Sequence, residues 1–396
     1  MIELHFRPDD LQTAFRYKSD KEIHRTKMVF GMMRFPVLVR VLSSVAIFIL
    51  KFGLPFRSTI RNTVFKVFCS GENIREALKL VRKLETFQVL GVLDYVAEGA
   101  KMDKAFDYNA RMAMNNINKL KNLQNGHSIS LKLSGLEDVE FIKRIGLLPG
   151  NFPGKEEERY ARFINRVDEI CSLAASCNIL VYIDAEEYST LEVFDEVAEL
   201  MMSRYNRDKV IVYNTLQMYL KDRTQYLERL IKRAERENFR LGIKLVRGAY
   251  MEKERSQAVS AGLEVPVFDT KEETDQAFDK AVEHCLNRPE LIDTCIATHN
   301  EKSVLLALNM IEAKKLDRKH VRFSQLYGMS DHLTFNLAFA GYSASKYLPY
   351  GTVEKAIPYL IRRAEENTSI GGQVGRELSL LNMELKRRNQ YVHPAA

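Results

Sequence analysis

Two adjacent arginines lie between a tyrosine and a glutamate in the segment YLIRRAEE. Tyr359, Arg362, Arg363 and Glu366 are spaced at i, i+3, i+4 and i+7, so on a helix they project from one face. A guanidinium group holds a carboxylate through two parallel hydrogen bonds. Two such groups on one turn, with a carboxylate one turn later, could bind both ends of a zwitterion. The pattern indicates an amino or imino acid site, although a solvated ion-pair face has the same spacing.

The segment that carries these residues is predicted to be helical. A Pro-Tyr-Gly turn occupies residues 349–351, and apolar residues then recur at helical spacing at Val353, Ile357, Leu360 and Ile361. We therefore predict helix from Tyr359 to Asn367.

Eight short apolar runs alternate with longer amphipathic stretches from about Leu90 onward. The runs end near Gly99, Leu136, Glu186, Leu216, Tyr250, Asn300, Gly328 and Gly351. The amphipathic stretches between them include residues 156–176, 191–204, 219–236, 272–286 and 302–313. Eight strands, each followed by a helix, favour a (β/α)8 barrel of the α/β class over an open sheet.

Polar residues stand where most of these predicted strands end. They are Lys132, Asp184, Glu186, Asn214, Gln217, Lys244, Arg247, Thr298, His299, Asn300, Gln325 and Tyr347. A parallel barrel gathers its active site at the C-terminal ends of its strands, whereas the strand bodies stay apolar. The distribution therefore predicts a functional site at this rim.

The composition excludes several classes of protein. The chain has 396 residues, five cysteines without CxxC spacing and a net charge of +7. We therefore expect no disulfide framework, no metal site and no nucleic-acid partner, and we expect a reducing compartment. The start, MIELHFRPDD, lacks the apolar region of a secretory signal and is too acidic for a transit peptide.

An apolar run framed by basic residues follows near the N-terminus, from Phe35 to Phe56. Arg40 and Lys51 interrupt it, and the uncharged part from Val41 to Leu50 is shorter than the roughly 20 residues that a bilayer span needs. Three alternatives stay open: a helix packed on the main domain or a partner, a helix on an anionic membrane surface, and a membrane span.

Four motifs, in order, resemble proline dehydrogenase: IDAEE (183–187), IKLVRGAY (243–250), ATHN (297–300) and YLIRRAEEN (359–367). The resemblance runs from about Val89 to Leu381 and is strongest to the monofunctional, eukaryotic-like branch, without an aldehyde dehydrogenase domain. It implies a distorted (β/α)8 TIM barrel that binds FAD, with its last helix over the mouth. We expect an N-terminal helical arm (residues 1–85), the FAD-binding barrel (86–385) and a tail (386–396).

The resemblance also implies the reaction. The family oxidises L-proline to 1-pyrroline-5-carboxylate by hydride transfer to flavin N5 and passes the electrons to a membrane quinone, which is the first step of proline catabolism. A separate pyrroline-5-carboxylate dehydrogenase would act downstream. The alternatives are a hydroxyproline dehydrogenase on the same fold and an inactive barrel whose N-terminal arm carries the function.

The resemblance assigns the substrate site residue by residue. Lys132, Arg362 and Arg363 would bind the proline carboxylate, and Glu366 would order the arginines. Asp184, Leu245, Tyr347 and Tyr359 would form the remaining walls, and Glu98 would pair with Arg362 as a gate. Because no histidine is placed to accept the imino proton, Asp184 and water are the two candidates.

The FAD site follows in the same way. Lys244 and Gln217 would lie near flavin N5, and Arg247, Gly248 and Ala249 would hold the phosphates. Thr298, His299, Asn300 and Gln325 would serve the adenosine half. Lys244 departs from the bifunctional bacterial branch, which has arginine there, so a cation is kept but a bidentate contact is not.

Tyr347 bears on the choice of substrate, because the hydroxyproline-oxidising branch has serine where this chain has Tyr347. A phenol packs against an unsubstituted ring and crowds a 4-hydroxyl group, so we expect proline to be preferred.

We expect a cytoplasmic protein, peripheral on the inner face of a bacterial membrane, or on the matrix side of a mitochondrial one if the chain is eukaryotic and processed.

Overall fold

The computed structural model describes residues 6–41, 44, 57–96, 100–123, 126–147, 154–369 and 373–392. Its strands are β1 (Leu90–Tyr95), β2 (Ser128–Leu131), β3 (Leu180–Ile183), β4 (Val212–Gln217), β5 (Leu241–Val246), β6 (Ile292–Ala297), β7 (Val321–Leu326) and β8 (Ser343–Tyr350). They form a closed barrel in chain order. The pairs β1–β8, β2–β3, β3–β4, β4–β5 and β5–β6 are parallel. The predicted (β/α)8 TIM barrel is confirmed.

Helices precede, separate and follow the strands. Within the described residues they are α1 (Leu11–Phe15), α2 (Asp20–Met33), α3 (Arg57–Ile60), α4 (Lys66–Phe68), α5 (Ile74–Glu85), α6 (Asp103–Leu120), α7 (Val139–Gly146), α8 (Lys155–Cys177), α9 (Tyr188–Tyr205), α10 (Arg223–Glu237), α11 (Met251–Ala261), α12 (Lys271–Leu286), α13 (Glu301–Lys314), α14 (Asp331–Phe339), α15 (Val353–Ser369) and α16 (Gln373–Val392). A π-helical turn (Arg61–Phe65) joins α3 to α4. The predicted helix from Tyr359 to Asn367 is confirmed as part of α15.

The chain divides into two compact units. The first contains the described residues from 100 to 323, which include β2 to β6 and the start of β7. The second contains the described residues up to Val96 together with those from Ser324 onward, and so holds β1, β8, the first helices and the last helices. The boundaries predicted at residues 85/86 and 385/386 remain predictions.

The second unit has a core to which both ends of the chain contribute. Phe15, Phe30 and Phe68 from the first helices are buried in one cluster with Tyr359 of α15 and Leu381 of α16. Burial of aromatic side chains contributes strongly to stability. The helices of residues 11–33 and 57–68 are therefore part of a folded core.

The apolar run of the N-terminal arm falls largely on residues outside those described, namely 42–43 and 45–56. Of the residues that are described, Phe35, Val37 and Val41 are exposed. Within the described part of the chain, no helix combines the length and apolar character that crossing a membrane requires.

Candidate active site

A carboxylate between two lysines lies at the C-terminal ends of β2, β3 and β5. Asp184 accepts hydrogen bonds from Lys244 Nζ at 2.7 Å and from Ser130 Oγ at 2.5 Å. Lys132 Nζ lies 3.8 Å from the second carboxylate oxygen. We call these four residues the lysine cluster. Both lysines contact the same carboxylate, and Asp184 and Lys244 are buried whereas Lys132 is half-buried.

The electrostatics of the lysine cluster keep Asp184 ionised. Burial alone would raise the pKa of the carboxyl group, but the charges of Lys244 and Lys132 and the hydrogen bonds from Lys244 and Ser130 outweigh it. The pKa falls from the ordinary 3.8 to about 2. Asp184 is therefore an anion at neutral pH and a weak base.

The alternation of side chains along β4 and β5 decides which groups reach this cluster. Thr215 lies opposite Lys244 in the register, and Leu216 lies opposite Leu245. Asn214 has the same orientation as Leu216, and it donates to Asp195 of α9 at 2.8 Å and to Tyr226 of α10 at 3.1 Å. Asn214 thus faces the helices, which corrects its predicted place at the rim.

Leu245 requires the same correction. It is fully buried in β5 and faces the side opposite to Lys244, because neighbouring side chains on a strand point to opposite faces. Its register partner Leu216 lies on the helix-facing side. The predicted place of Leu245 in the wall of the substrate site is therefore not supported.

Two further polar residues tie the strand ends together. Gln217 Nε2 donates to the backbone oxygen of Glu186 at 2.8 Å. The carboxylate of Glu186 accepts from the backbone nitrogen of Ser134 at 3.0 Å and from the Ser134 hydroxyl group. Glu186 therefore anchors the turn that follows β2.

A second cluster forms around Arg247, just after β5. The guanidinium group donates to Asp275 Oδ1 at 2.6 Å, to Thr298 Oγ1 at 2.6 Å and to Ser303 Oγ at 3.0 Å. Its Cζ atom lies 4.4 Å from the ring centroid of Phe278. We call Arg247, Asp275, Thr298 and Ser303 the Arg247 cluster.

The neighbouring motif residues Gly248, His299 and Asn300 adjoin this cluster. Thr298 Oγ1 accepts from the backbone nitrogen of Asn300 at 3.1 Å, and Asn300 Oδ1 caps α13 by accepting from Lys302 N at 2.9 Å. Gly248 has φ +134°, and a Cβ atom there would lie 1.8 Å from ring carbons of Tyr219. Only glycine fits at this position. His299 and Ala249 are partly exposed beside these groups.

In the second unit, α15 carries the arginines. Arg363 Nη2 donates to Glu366, and its Cζ atom lies 5.3 Å from the ring centroid of Tyr359. Tyr359 and Arg363 are buried, whereas Arg362 and Glu366 are partly exposed. We call Tyr359, Arg362, Arg363 and Glu366 the arginine face.

The environment of the arginine face departs from that of a solvated ion pair. Burial raises the pKa of Glu366, and the positive charges of Arg363 and Arg362 oppose that rise. The buried hydroxyl group of Tyr359 has no hydrogen-bond partner among the residues that the structure describes. A buried hydroxyl group normally has such a partner, so this site has capacity for a polar ligand.

Tyr347 and Gln325 lie in β8 and β7 of the same unit. Tyr347 is buried, stands opposite Val92 in the register, and accepts at its backbone oxygen from Tyr327 N at 3.0 Å. Gln325 Oε1 accepts from Thr334 Oγ1 at 2.8 Å. Glu98, the predicted gate, lies outside the described residues.

Comparison with known proteins assigns the chain to a family. A family model described as proline dehydrogenase matches residues 77–376. This chain belongs to the proline dehydrogenase family. The predicted resemblance is thereby confirmed.

Individual relatives agree with this assignment. Proline dehydrogenase 1, mitochondrial, of Drosophila melanogaster is 38% identical over 253 residues, covering 61% of this chain and 37% of that protein. The Arabidopsis thaliana protein of the same name is 32% identical over 373 residues, covering 83% of this chain and 75% of that protein. Hydroxyproline dehydrogenase of Xenopus laevis is 30% identical over 417 aligned positions, covering 95% of this chain and 89% of that protein.

A solved structure has the same fold. Proline utilization A (PutA) from Bdellovibrio bacteriovorus, inactivated by N-propargylglycine, superimposes with a TM-score of 0.72 at 21% identity. The match covers 82% of this chain and 36% of that one. The chain thus spans little more than a third of the Drosophila relative and of this PutA chain.

Three residues of this proline dehydrogenase family member were not predicted from the sequence. Ser130 belongs to the lysine cluster, and Asp275 and Ser303 belong to the Arg247 cluster. Ser130 lies two residues before Lys132 on β2, so strand alternation places both side chains on the same face. Asp275 and Ser303 lie on α12 and α13, 28 and 56 positions from Arg247. Nothing in the local pattern of either helix distinguishes them from solvated residues.

Proposed function

We propose that this chain oxidises L-proline to 1-pyrroline-5-carboxylate, with FAD as cofactor and a membrane quinone as final electron acceptor. The observation that carries the proposal is the arginine face, in which the buried Arg363 contacts Glu366 and the ring of Tyr359. Guanidinium groups bind carboxylates through paired hydrogen bonds, and the carboxylate of an imino acid would fit beside Arg362 and Arg363. Membership of the proline dehydrogenase family supports proline as that imino acid.

The substrate roles follow from the chemistry of each group. Arg362, Arg363 and Lys132 would bind the carboxylate, and Glu366 would orient the guanidinium groups. Tyr347 and Tyr359 would enclose the ring, with the Tyr359 hydroxyl group available to a polar atom of the ligand. Asp184 would hold Lys132 and Lys244 in place. Holding the ring in one pose is worth several orders of magnitude in rate.

The Arg247 cluster fits the phosphates of FAD. A guanidinium group has five N–H donors, and the structure shows acceptors within the described residues for only three of those of Arg247. The remaining donors, with Gly248 and Ala249, would bind the diphosphate. Gly248 has no side chain, which lets the ring of Tyr219 pack against the backbone at this point.

The other FAD contacts are proposed from the motif positions. Thr298, His299, Asn300 and Gln325 would contact the adenosine half, and Gln217 and Lys244 would contact the flavin edge. When bound, FAD supplies the hydride acceptor of the reaction. Lys244 would supply a positive charge near the flavin edge, where electron density would increase on reduction.

A second candidate is a hydroxyproline dehydrogenase, because the Xenopus laevis protein of that name matches most of this chain. Tyr347 favours proline over hydroxyproline. Its phenol would crowd a 4-hydroxyl group, where the hydroxyproline-oxidising branch has serine.

An anaerobic titration separates these alternatives. The purified protein is expected to be yellow, and its flavin absorbance should bleach on addition of L-proline, with hydroxyproline bleaching it more slowly. A flavin that responds to hydroxyproline first would support the second candidate. A protein without flavin, or a flavin that neither ligand bleaches, would contradict both and favour a role centred on the N-terminal arm.

We also propose a peripheral position on a membrane. Phe35, Val37 and Val41 are exposed beside the cations of Arg34 and Arg40, a combination that suits an anionic lipid surface. The surface would be the inner face of a bacterial membrane or the matrix side of a mitochondrial one, where the quinone is available. A separate pyrroline-5-carboxylate dehydrogenase would then consume the product.

Vesicle co-sedimentation tests this placement. Binding should rise with the fraction of anionic lipid, fall with added salt, and weaken in a Val37→Ser, Val41→Ser variant. A protein that ignores anionic vesicles at low ionic strength would leave the arm as a packed structural element.

A further inference from the structure

A buried ion cluster lies behind β8 in the second unit. Asp331, the first residue of α14, contacts Lys18 Nζ at 2.7 Å and Lys346 Nζ at 2.9 Å. It also accepts from the hydroxyl group of Tyr17 at 2.9 Å. Asp331, Lys18 and Lys346 are 3%, 7% and 0% exposed. The N-terminal arm thus supplies two of the groups that surround one buried carboxylate.

The charges of this cluster are interdependent. Burial disfavours an ionised Asp331, but Lys18 and Lys346 outweigh that effect and hold its pKa well below the usual range. Burial lowers the pKa of Lys346, and the charge of Asp331 opposes that shift. Breaking a buried ion pair costs far more than breaking an exposed one. The cluster therefore fixes the positions of the three segments that meet in it.

One of these segments is the turn between β7 and α14. Lys346 Nζ donates to the backbone oxygen of Met329, and Ser330 N donates to Glu377 of α16 at 2.9 Å. Ser330 has φ +50°, and Gly328 has φ +84°, where a Cβ atom would lie 2.2 Å from the backbone oxygen of Val67. A turn in such a conformation persists only when its surroundings hold it.

The same turn adjoins two residues of the proposed site. Gln325 precedes it and is bonded to Thr334 of α14 at 2.8 Å. Tyr347 follows Lys346 in β8, and its backbone oxygen accepts from Tyr327 N in the turn at 3.0 Å. Asp331 is thus connected to Gln325 through Thr334 on the same helix, and to Tyr347 through the neighbouring Lys346.

We propose that Asp331 and Lys18 are positioning residues, which set Tyr347 and Gln325 through the β7–α14 turn. The N-terminal arm then contributes to substrate selection without contacting substrate. This inference rests on the proposed function for its kinetic consequence, but its structural part is independent of it.

Two variants with a matched control test the inference. Lys18→Met leaves Asp331 paired with Lys346, so the protein should fold and keep its FAD. Lys18→Arg keeps the charge and should behave as the wild type. Arg388→Met is the control, because Arg388 holds the same arm through the backbone oxygens of Phe15 and Lys18 and through Asp20, without contacting Asp331.

The first measurement is hydrogen exchange of backbone amides, which does not depend on activity. Lys18→Met should accelerate exchange in peptides covering residues 324–331 and 343–350, whereas Arg388→Met should accelerate it in α1 and α16 only. The second measurement is steady-state kinetics. Lys18→Met should raise KM for proline roughly tenfold with kcat within about twofold, and it should change the hydroxyproline-to-proline ratio of kcat/KM.

Different failures have different meanings. The inference would be overturned if Lys18→Met and Arg388→Met had the same amide exchange rates and the same KM for proline. The arm would then act only on overall stability. If Lys18→Met fails to fold, Tyr17→Phe removes a single hydrogen bond to Asp331 and should produce a smaller change of the same kind; no change there would overturn the inference as well. A wild-type protein that proline does not reduce would remove the proposed function, while accelerated exchange at 324–331 would still support the positioning role.

Discussion

The Nζ atom of Lys244 lies 2.7 Å from Oδ1 of Asp184, and this contact bears on the fate of the substrate proton. The sequence leaves Asp184 and water as candidate acceptors. With its pKa lowered to about 2, Asp184 binds a proton weakly at neutral pH, and both of its oxygens already accept hydrogen bonds. This geometry supports the proposal that water is the acceptor and that Asp184 holds the lysines.

The pH dependence of stability tests that assignment. The pKa of Asp184 is depressed in the folded protein, so the carboxylate contributes stability above about pH 4 that is lost as the pH falls toward 2. In urea unfolding between pH 5 and pH 2, the wild type should lose roughly 2 kcal/mol more than Asp184→Asn. The exposed Asp208→Asn is the control and should follow the wild type. Equal slopes in Asp184→Asn and wild type would show that the lysines do not hold this carboxylate ionised.

Arg363→Met tests the arginine face. The variant keeps most of the apolar stem but removes a charge-assisted contact worth on the order of 1.5 to 3 kcal/mol, so apparent affinity for proline should fall roughly ten- to a hundredfold. FAD content should be unchanged. Lys355→Met removes an exposed cation from the same helix and should leave the affinity unaltered. Proline binding that survives in Arg363→Met would remove this residue from the site.

Gly248→Ala tests the fit around the Arg247 cluster. The added methyl group would meet the ring of Tyr219, and the backbone conformation already disfavours any side chain. We expect FAD content to fall and stability to decrease by about 1 to 3 kcal/mol or more. Gly262→Ala is the control, since φ there is +65° but the space around the glycine is open. If both variants keep FAD equally well, the close packing at Gly248 is not needed for the cofactor.

Tyr347→Ser tests the choice of ring. It should lower kcat/KM for proline and raise the hydroxyproline-to-proline ratio, with FAD content unchanged. Steric rejection of one hydroxyl group is worth only about 1 to 3 kcal/mol, so the wild type should discriminate incompletely. Steady-state kinetics on both substrates with an artificial electron acceptor would measure this ratio of kcat/KM values. A ratio that is unchanged, or that moves toward proline, would place the determinant elsewhere.

The local sequence pattern predicts the barrel and the helical part of α15 well, because both depend on short-range periodicity. The spacing of Tyr359, Arg363 and Glu366 predicts that they project from one face of a helix, and on α15 Arg363 contacts the other two. The orientation of Leu245 could not be predicted locally: its neighbour Lys244 faces the lysine cluster, and only the strand register shows which of two adjacent side chains does so. The pairing of Tyr17 with Asp331 spans 314 positions, and no local signal marks either partner.

Contacts between the first and last segments of the chain have a consequence for its synthesis. Phe15, near the start, accepts a hydrogen bond from Arg388, 373 residues later, and Leu90 pairs with Ser345. At a synthesis rate of about 5 to 20 residues per second, the first helices leave the ribosome roughly 20 to 75 seconds before their partner in α16 exists. Their apolar faces are uncovered during that interval, so a nascent chain stopped before residue 373 exposes the surface that chaperones and proteases bind.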